Sequence, residues 1–199
     1  SYLEKRYAMT ASEARTVAER KTGARDAVGD RVEALASMAA SRGVKIASHD
    51  DDSPERTQLM AGLGATISEF PVNIETARAA RERGISTIVG APNVVRGKSQ
   101  GTSMRAMDAI TDGSADCLCA DYLPASMLAA VFLLPRLAGI GLHEAVKLVT
   151  SNPANAAGLD DRGVIAVGKR ADLLAVDPTG QWPRLTCAWL GGREVFRQA

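Results

Sequence analysis

Four times in this chain a glycine closes a helix-like segment and a short apolar or β-branched run follows at once. Gly43 stands before Val44–Ala47, Gly64 before Ala65–Ser68, Gly84 before Ile85–Val89, and Gly113 shortly before Asp116–Ala120. Glycine takes the left-handed conformation just past a helix without a Cβ penalty, so the repeat reads helix, strand, helix, strand. The segments between also carry helix starts: Ser53 followed by Pro54, and Asn73 before the run IETARAARERG. Alternation of this kind with continuous apolar strands predicts parallel pairing buried on both faces, hence an α/β architecture. A closed barrel takes eight strands and usually about 250 residues. With four units in 199 residues, the pattern is an open sheet or half a barrel.

The flanking segments differ. Tyr2 to Gly23 reads as a helix starting at Thr10, which has the reciprocal capping-box spacing to Glu13. A second helix is expected over Asp30–Arg42, with Val32, Leu35, Met38 and Ala39 on one face. Helices are also expected over Pro124–Leu137 and from Leu142 to about Thr150. Beyond Gly158 the register changes to strand-like runs at Gly163–Ile165, Leu173–Val176 and Leu185–Leu190, separated by Gly-Lys, Asp-Pro and Gly-Gly turn signals. This predicts a βα part over residues 1–158 and an antiparallel accessory element over 159–199.

Composition narrows the partners. With 24 basic and 23 acidic residues the formal charge is +1, so no overall field favours nucleic acid or an anionic membrane, and any anion binding must be local. The longest apolar stretch, Ala125–Leu134, falls far short of the roughly 20 residues of a membrane span, and the start shows no signal-peptide pattern. A cytoplasmic protein is expected. Cys117, Cys119 and Cys187 are odd in number and lack metal-type spacing, which argues against a disulfide framework or a zinc knuckle. The chain opens at Ser1 without methionine, as a piece of something longer would.

Chemistry is expected at the carboxyl ends of the strands, where α/β folds present catalytic groups. Asp121, closing DCLCAD before a loop and an apolar helix, is the first candidate; the alternative is that it caps that helix. The first strand runs into His49, Asp50, Asp51 and Asp52, a set that offers a divalent metal imidazole and carboxylate, or that dresses a solvated helix start. If His49 points inward, so does Lys45, which would then need a partner or a bend. The third strand leads into GAPNVVRGKSQGTS, where Asn93, Arg96, Lys98 and Ser99 with free backbone amides form a candidate phosphate cradle, or a mobile solvated loop. Glu69, ending the second strand, could reach the same rim or serve as a surface ion-pair partner. His143 is expected to be exposed.

Several segments together resemble a known family. Val149–Asp177, reading VTSNPANAAGLDDRGVIAVGKRADLLAVD, is similar to the carboxyl-terminal signature of the amidohydrolase superfamily, metal-dependent hydrolases on a (β/α)8 barrel with a small β-sandwich. Within that superfamily ASHDDD, GATISEFPVNIETARAARERG, GAPNVVRG and ADYLPASML resemble the PhnM family of phosphonate metabolism. The resemblance implies the carboxyl-terminal half of a TIM barrel, strands five to eight, plus strands of the sandwich. It implies hydrolysis of α-D-ribose 1-methylphosphonate 5-triphosphate to the 5-phosphate and pyrophosphate, a step of the carbon–phosphorus lyase pathway. His49 and Asp121 would be ligands of a divalent metal, zinc or manganese, with Asp121 also taking the proton from a metal-bound water; Arg96 and Lys98 would hold the triphosphate. Two departures stand out: the His-x-His motif of strand one is absent from this chain, and Gln100 occupies a position where a histidine is expected in close relatives. With two ligands metal affinity should be weak, and the unpaired edges of half a barrel favour self-association or swapping. The competing readings are an inactive structural half that needs a partner, and another amidohydrolase acting on a cyclic amide or nucleobase.

Overall fold

The structure is a computed structural model that describes residues 10–13, 15, 16, 25–99 and 103–198. The chain divides into two compact units, Ser1–Val44 and Lys45–Ala199.

In the first unit Thr10 closes its capping box: the Glu13 carboxylate accepts from the Thr10 N–H at 2.8 Å and the Thr10 hydroxyl accepts from the Glu13 N–H at 3.3 Å. Residues 11–13, 15 and 16 are helical, and the rest of the first expected helix lies outside the described residues. Helix α1 spans Arg25–Ser41, starting earlier than its apolar pattern suggested. Leu35 and Met38 on its expected apolar face are exposed.

The second unit begins with the βα repeat. Strands β1 (Ile46–His49), β2 (Ala65–Glu69), β3 (Ser86–Gly90) and β4 (Cys117–Cys119) form one parallel sheet in that order. Between them lie α2 (Pro54–Gly62), α3 (Ile74–Glu82), α4 (Ala91–Arg96) and α5 (Ala106–Asp112). Ser53 and Asn73 cap α2 and α3 as expected, accepting from the N–H groups of Arg56 and Thr76. The strands sit one or two residues from their expected bounds. His49 is consequently the last residue of β1 rather than part of the loop, because its pairing with Glu69 extends the ladder. A register shift between Ile46 and Ala47 resolves the difficulty at Lys45, whose exposed side chain lies against Gly158.

Alternation divides the strands. The register His49↔Glu69↔Ile88↔Cys117 places these residues on one face. Ser48, Ser68, Thr87, Val89 and Leu118 occupy the other, which meets the helices. Val89 and Leu118 join Val94, Ile110, Val131 and Leu134 in the main core, together with alanines of α4, α5 and α6 (Ser126–Ala138). Strands expected to be continuously apolar thus bury Ser48, Ser68 and Thr87, and buried polar groups require partners. Asp51 supplies them for the two serines. For Thr87 the hydroxyl donates to the Ser114 carbonyl, and the Asp116 carboxylate accepts from the Thr87 N–H at 3.0 Å.

After α6 the chain forms two short helices, α7 (Leu142–Lys147) and α8 (Ser151–Ala157), where one helix from Leu142 to about Thr150 was expected. Asn152 of α8 donates to the Asp116 carbonyl at 2.8 Å, so the SNPANAAG segment ties the last helix to the base of β4. Gly163–Ile165, expected as a strand, is not one. Gly163 has φ +91°, and a Cβ there would stand 2.8 Å from Ala154 Cβ and 3.1 Å from Ser151 Cα, so the segment packs on α8 at a position that only glycine fits. Strands β5 (Leu173–Asp177), β6 (Arg184–Leu190) and β7 (Arg193–Arg197) make a separate antiparallel sheet, in which the first two answer to expected runs and the third was not expected. Among the described residues no helix is long and apolar enough to cross a membrane.

Candidate active site

At the carboxyl ends of β1, β3 and β4 lies a cleft of about 360 Å³ whose lining includes His49, Asp50, Phe70, Asn93, Arg96, Ser99 and Asp121. Six of these seven are sequence candidates. Lys98 is exposed and Glu69 half-buried, and neither belongs to the lining, although Glu69 is the register partner of His49. Gln100 lies outside the described residues.

The acidic run after β1 separates into three environments. Asp50 is exposed at the rim with one carboxylate oxygen 3.1 Å from His49 Nδ1, a contact that fixes the imidazole's Nδ1 side toward the loop. Asp51 turns the other way and is 1% exposed. One of its oxygens accepts from Ser48 Oγ at 2.5 Å and Ser68 Oγ at 3.2 Å, and Arg56 Nε stands 3.7 Å from the other. Asp52 is exposed, and its carbonyl accepts from Asn73 Nδ2 at 2.8 Å. Asp51 therefore joins β1 to β2 and is withdrawn from the rim.

Phe70 was not a sequence candidate. Its ring meets His49 edge to face, with centroids 5.3 Å apart and planes at 73°. A Cβ on Gly90 would stand 3.3 Å from Phe70, so glycine at the end of β3 makes room for the ring that supports His49. Asn93 is partly committed, since its Oδ1 accepts from the Ala106 N–H at 3.1 Å and caps α5. Arg96, the last residue of α4, donates to the Tyr122 hydroxyl at 2.6 Å, with its guanidinium carbon 5.9 Å from the ring centroid.

Asp121 does not cap α6. That helix begins at Ser126 behind Ala125 with no side-chain cap, and Asp121 is exposed. Its backbone is unusual, with φ 48°. Asp50 (φ 56°), Phe70 (φ 54°) and Asp121 are the non-glycine residues with positive φ among those described, and all three line the cleft. Such conformations cost on the order of 1 kcal/mol or more and cluster where a site requires them.

A divalent metal is tested against these donors. His49 and Asp121 face one cleft, but among the described residues no three His, Cys, Asp or Glu side chains gather as a metal site. A catalytic zinc takes three protein ligands. The donors present do not by themselves fit such an ion. On the inner face of β4, burial pushes the Cys117 thiol up to about 12 and raises Cys119 as well, so neither offers a thiolate at neutral pH.

Residues 7–195 match the Amidohydrolase family. The chain belongs to that family. It is 40% identical over 166 residues to the alpha-D-ribose 1-methylphosphonate 5-triphosphate diphosphatase of Escherichia coli K12, covering 82% of this chain and 44% of that protein. Among solved structures, an amidohydrolase from Thermotoga maritima superposes with a TM-score of 0.65 at 19% identity, over 94% of this chain and 54% of that one. Enamidase, another amidohydrolase superfamily member, gives 0.65 at 17% identity over 84% and 51%. These two likenesses establish the fold: a parallel βα sheet with a separate antiparallel sheet, as in this hydrolase family. The chain spans about half the length of the relatives it matches.

Proposed function

We propose that this chain forms the carboxyl-terminal half of the active site of a phosphonate-pathway diphosphatase, which cleaves α-D-ribose 1-methylphosphonate 5-triphosphate to the 5-phosphate and pyrophosphate. The observation that carries the reading is the cleft itself, where a free carboxylate, Asp121, and a guanidinium, Arg96, share one wall system at the carboxyl ends of parallel strands. A cyclic amide needs no cation, whereas a triphosphate does, and arginine offers several N–H donors in a planar fork for its oxygens. Asn93 and Ser99 would add neutral contacts, and Lys98 would approach from outside the lining.

In this reading water attacks at the linkage between the first and second phosphates. The P–O bond there breaks, pyrophosphate leaves, and Asp121 receives the proton released by the water. Arg96 neutralises charge on the phosphoryl oxygens. His49, braced by Phe70 and Asp50, and Asp121 would be shared with donors outside these residues in a complete site. The same incompleteness supports a partner: β1 and β4 are the edges of the four-stranded sheet, and Ala47 and His49 on its inner face are exposed. We place the division between the βα part and the accessory strands at Gly158.

The test compares pyrophosphate release from the triphosphate with hydrolysis of a hydantoin-type amide, using the protein that also carries strands one to four. Pyrophosphate release that falls at least a hundredfold in Asp121→Asn is expected. Amide hydrolysis without pyrophosphate release would refute the proposal. The 199-residue chain on its own is expected to release none.

A further inference from the structure

We infer that Tyr122, which follows Asp121 in the ADYLPASML segment, is a positioning and phosphate-binding residue: its hydroxyl holds the Arg96 guanidinium in place and donates its own proton to a phosphate oxygen of the ligand. The inference deepens the proposed function and rests on a phosphorylated ligand entering this cleft.

Arg96 leaves the end of α4 and is exposed in the cleft lining; Tyr122, also exposed, follows Asp121 and reaches the cleft through its contact with Arg96 rather than as part of the lining. A long exposed arginine ordinarily samples many rotamers, and each that a ligand must freeze weakens binding. Here two contacts already restrict it. One N–H is given to the Tyr122 oxygen at 2.6 Å, and the guanidinium carbon lies 5.9 Å from the aromatic centroid, within the range of a cation–π contact. Arginine has five N–H donors, so four remain for an anion. The phenol is then defined by elimination. Its oxygen accepts from Arg96, which leaves its hydrogen to be donated, and no acceptor for it is recorded within the described residues. An anion held by Arg96 presents an oxygen beside that hydroxyl. Asp121, with its left-handed backbone at φ 48°, lines the cleft, and the next residue's phenol reaches Arg96 of the same lining. One turn thus provides both a proton acceptor and a support for the cation.

Inorganic tripolyphosphate is the probe, with binding to the protein that also carries strands one to four measured by calorimetry at two salt concentrations for the parent, Arg96→Ala, Tyr122→Phe, Tyr122→Leu and the Arg96→Ala/Tyr122→Phe double variant. The parent is expected to bind saturably and Arg96→Ala to abolish most of that affinity. Tyr122→Phe retains the ring and should weaken binding about tenfold, with Tyr122→Leu weaker still. Because the hydroxyl acts partly through Arg96, Tyr122→Phe should cost less in the Arg96→Ala background. The salt dependence should fall with Arg96→Ala and persist in Tyr122→Phe, a distinction that a general loss of structure would not produce. If the parent binds no tripolyphosphate, the phosphorylated-substrate reading fails and this inference with it. If Arg96→Ala abolishes binding while Tyr122→Phe matches the parent, or if the two substitutions add independently, the role of Tyr122 fails and that reading stands.

Discussion

Replacing Asp51 with alanine should destabilise the fold by about 2–3 kcal/mol, since one buried hydroxyl loses its partner and a second is weakened. The carboxylate accepts from Ser68 Oγ at 3.2 Å and Ser48 Oγ at 2.5 Å. Ser68 is wholly buried and has no other recorded acceptor, so leaving its hydroxyl unpaired costs about 1–3 kcal/mol. Ser48 has a second acceptor in the Ile67 carbonyl at 3.3 Å and should lose about 1 kcal/mol. Against these stands a gain. The second carboxylate oxygen of Asp51 has no hydrogen bond, and Arg56 Nε approaches only to 3.7 Å, so removing the group also removes an incompletely compensated buried charge. Asp51→Asn keeps the size and one acceptor oxygen and should cost about 1 kcal/mol. Adding Ser68→Ala to Asp51→Ala should recover part of the loss, because removing both partners of a buried hydrogen bond leaves nothing unsatisfied. Urea unfolding provides the measurement, with a lowered midpoint at unchanged slope. An alanine variant within 0.5 kcal/mol of the parent, or one more stable than the asparagine variant, would show that the clasp between β1 and β2 is not what holds this strand end.

Gly163→Ala should cost about 3 kcal/mol in the same assay, as φ is +91° and the new Cβ would stand 2.8 Å from Ala154 Cβ and 3.1 Å from the Thr150 carbonyl; Gly113→Ala, with φ +75° and open space, should cost about 1 kcal/mol. Asp177 is held down to about 2 by the Thr179 hydroxyl and N–H and by Arg184, so its stabilising contribution is complete above the ordinary carboxylate range and lost as pH falls through 2. A carbon-detected NMR titration should follow that midpoint and show it rise in Thr179→Val. Native Cys117, raised to about 12 by burial, should resist iodoacetamide at pH 8 and react after unfolding; because the folded value is raised, its contribution is present below the ordinary thiol range and lost as pH rises toward 12. Asp121→Gly should leave the unfolding midpoint unchanged or slightly raised, since an exposed residue is relieved of φ 48°, while a drop above about 1 kcal/mol would revive a structural role for the side chain.

The βα order was legible because glycine placement and apolar runs are local signals, and so were the caps at Ser53 and Asn73. The site was legible only in outline. Strand ends identified His49, Asp121 and the Asn93–Ser99 loop, but three consecutive aspartates carry no mark of which one turns inward. That choice depended on Ser48 and Ser68, residues on neighbouring strands that needed an acceptor. The Arg96–Tyr122 contact joins residues 26 apart and has no sequence periodicity to reveal it. Helix α8 was obscured by Pro153, which reads as a turn yet is tolerated in a first helical turn. Strand β7 was obscured because all five of its residues are exposed, leaving no apolar face to alternate with.

The conformational strain bears on what the cleft is for. Every glycine that ends a helix before a parallel strand here meets the demand for positive φ at little cost, as at Gly43, Gly64, Gly84 and Gly113. At the other ends of the strands the same backbone region is occupied by Asp50, Phe70 and Asp121, where glycine would have been the less costly choice. A side chain kept against that cost must supply something glycine cannot. For Phe70 this is the support beneath His49, and for Asp50 the contact to His49 Nδ1. Asp121 has neither task, as it is exposed and caps no helix. Its side chain is the one of the three without a structural use, and it lines the cleft that also holds Arg96. That asymmetry between the two ends of the sheet is what a reaction centre at the carboxyl rim would produce, and what an ordinary set of turns would not.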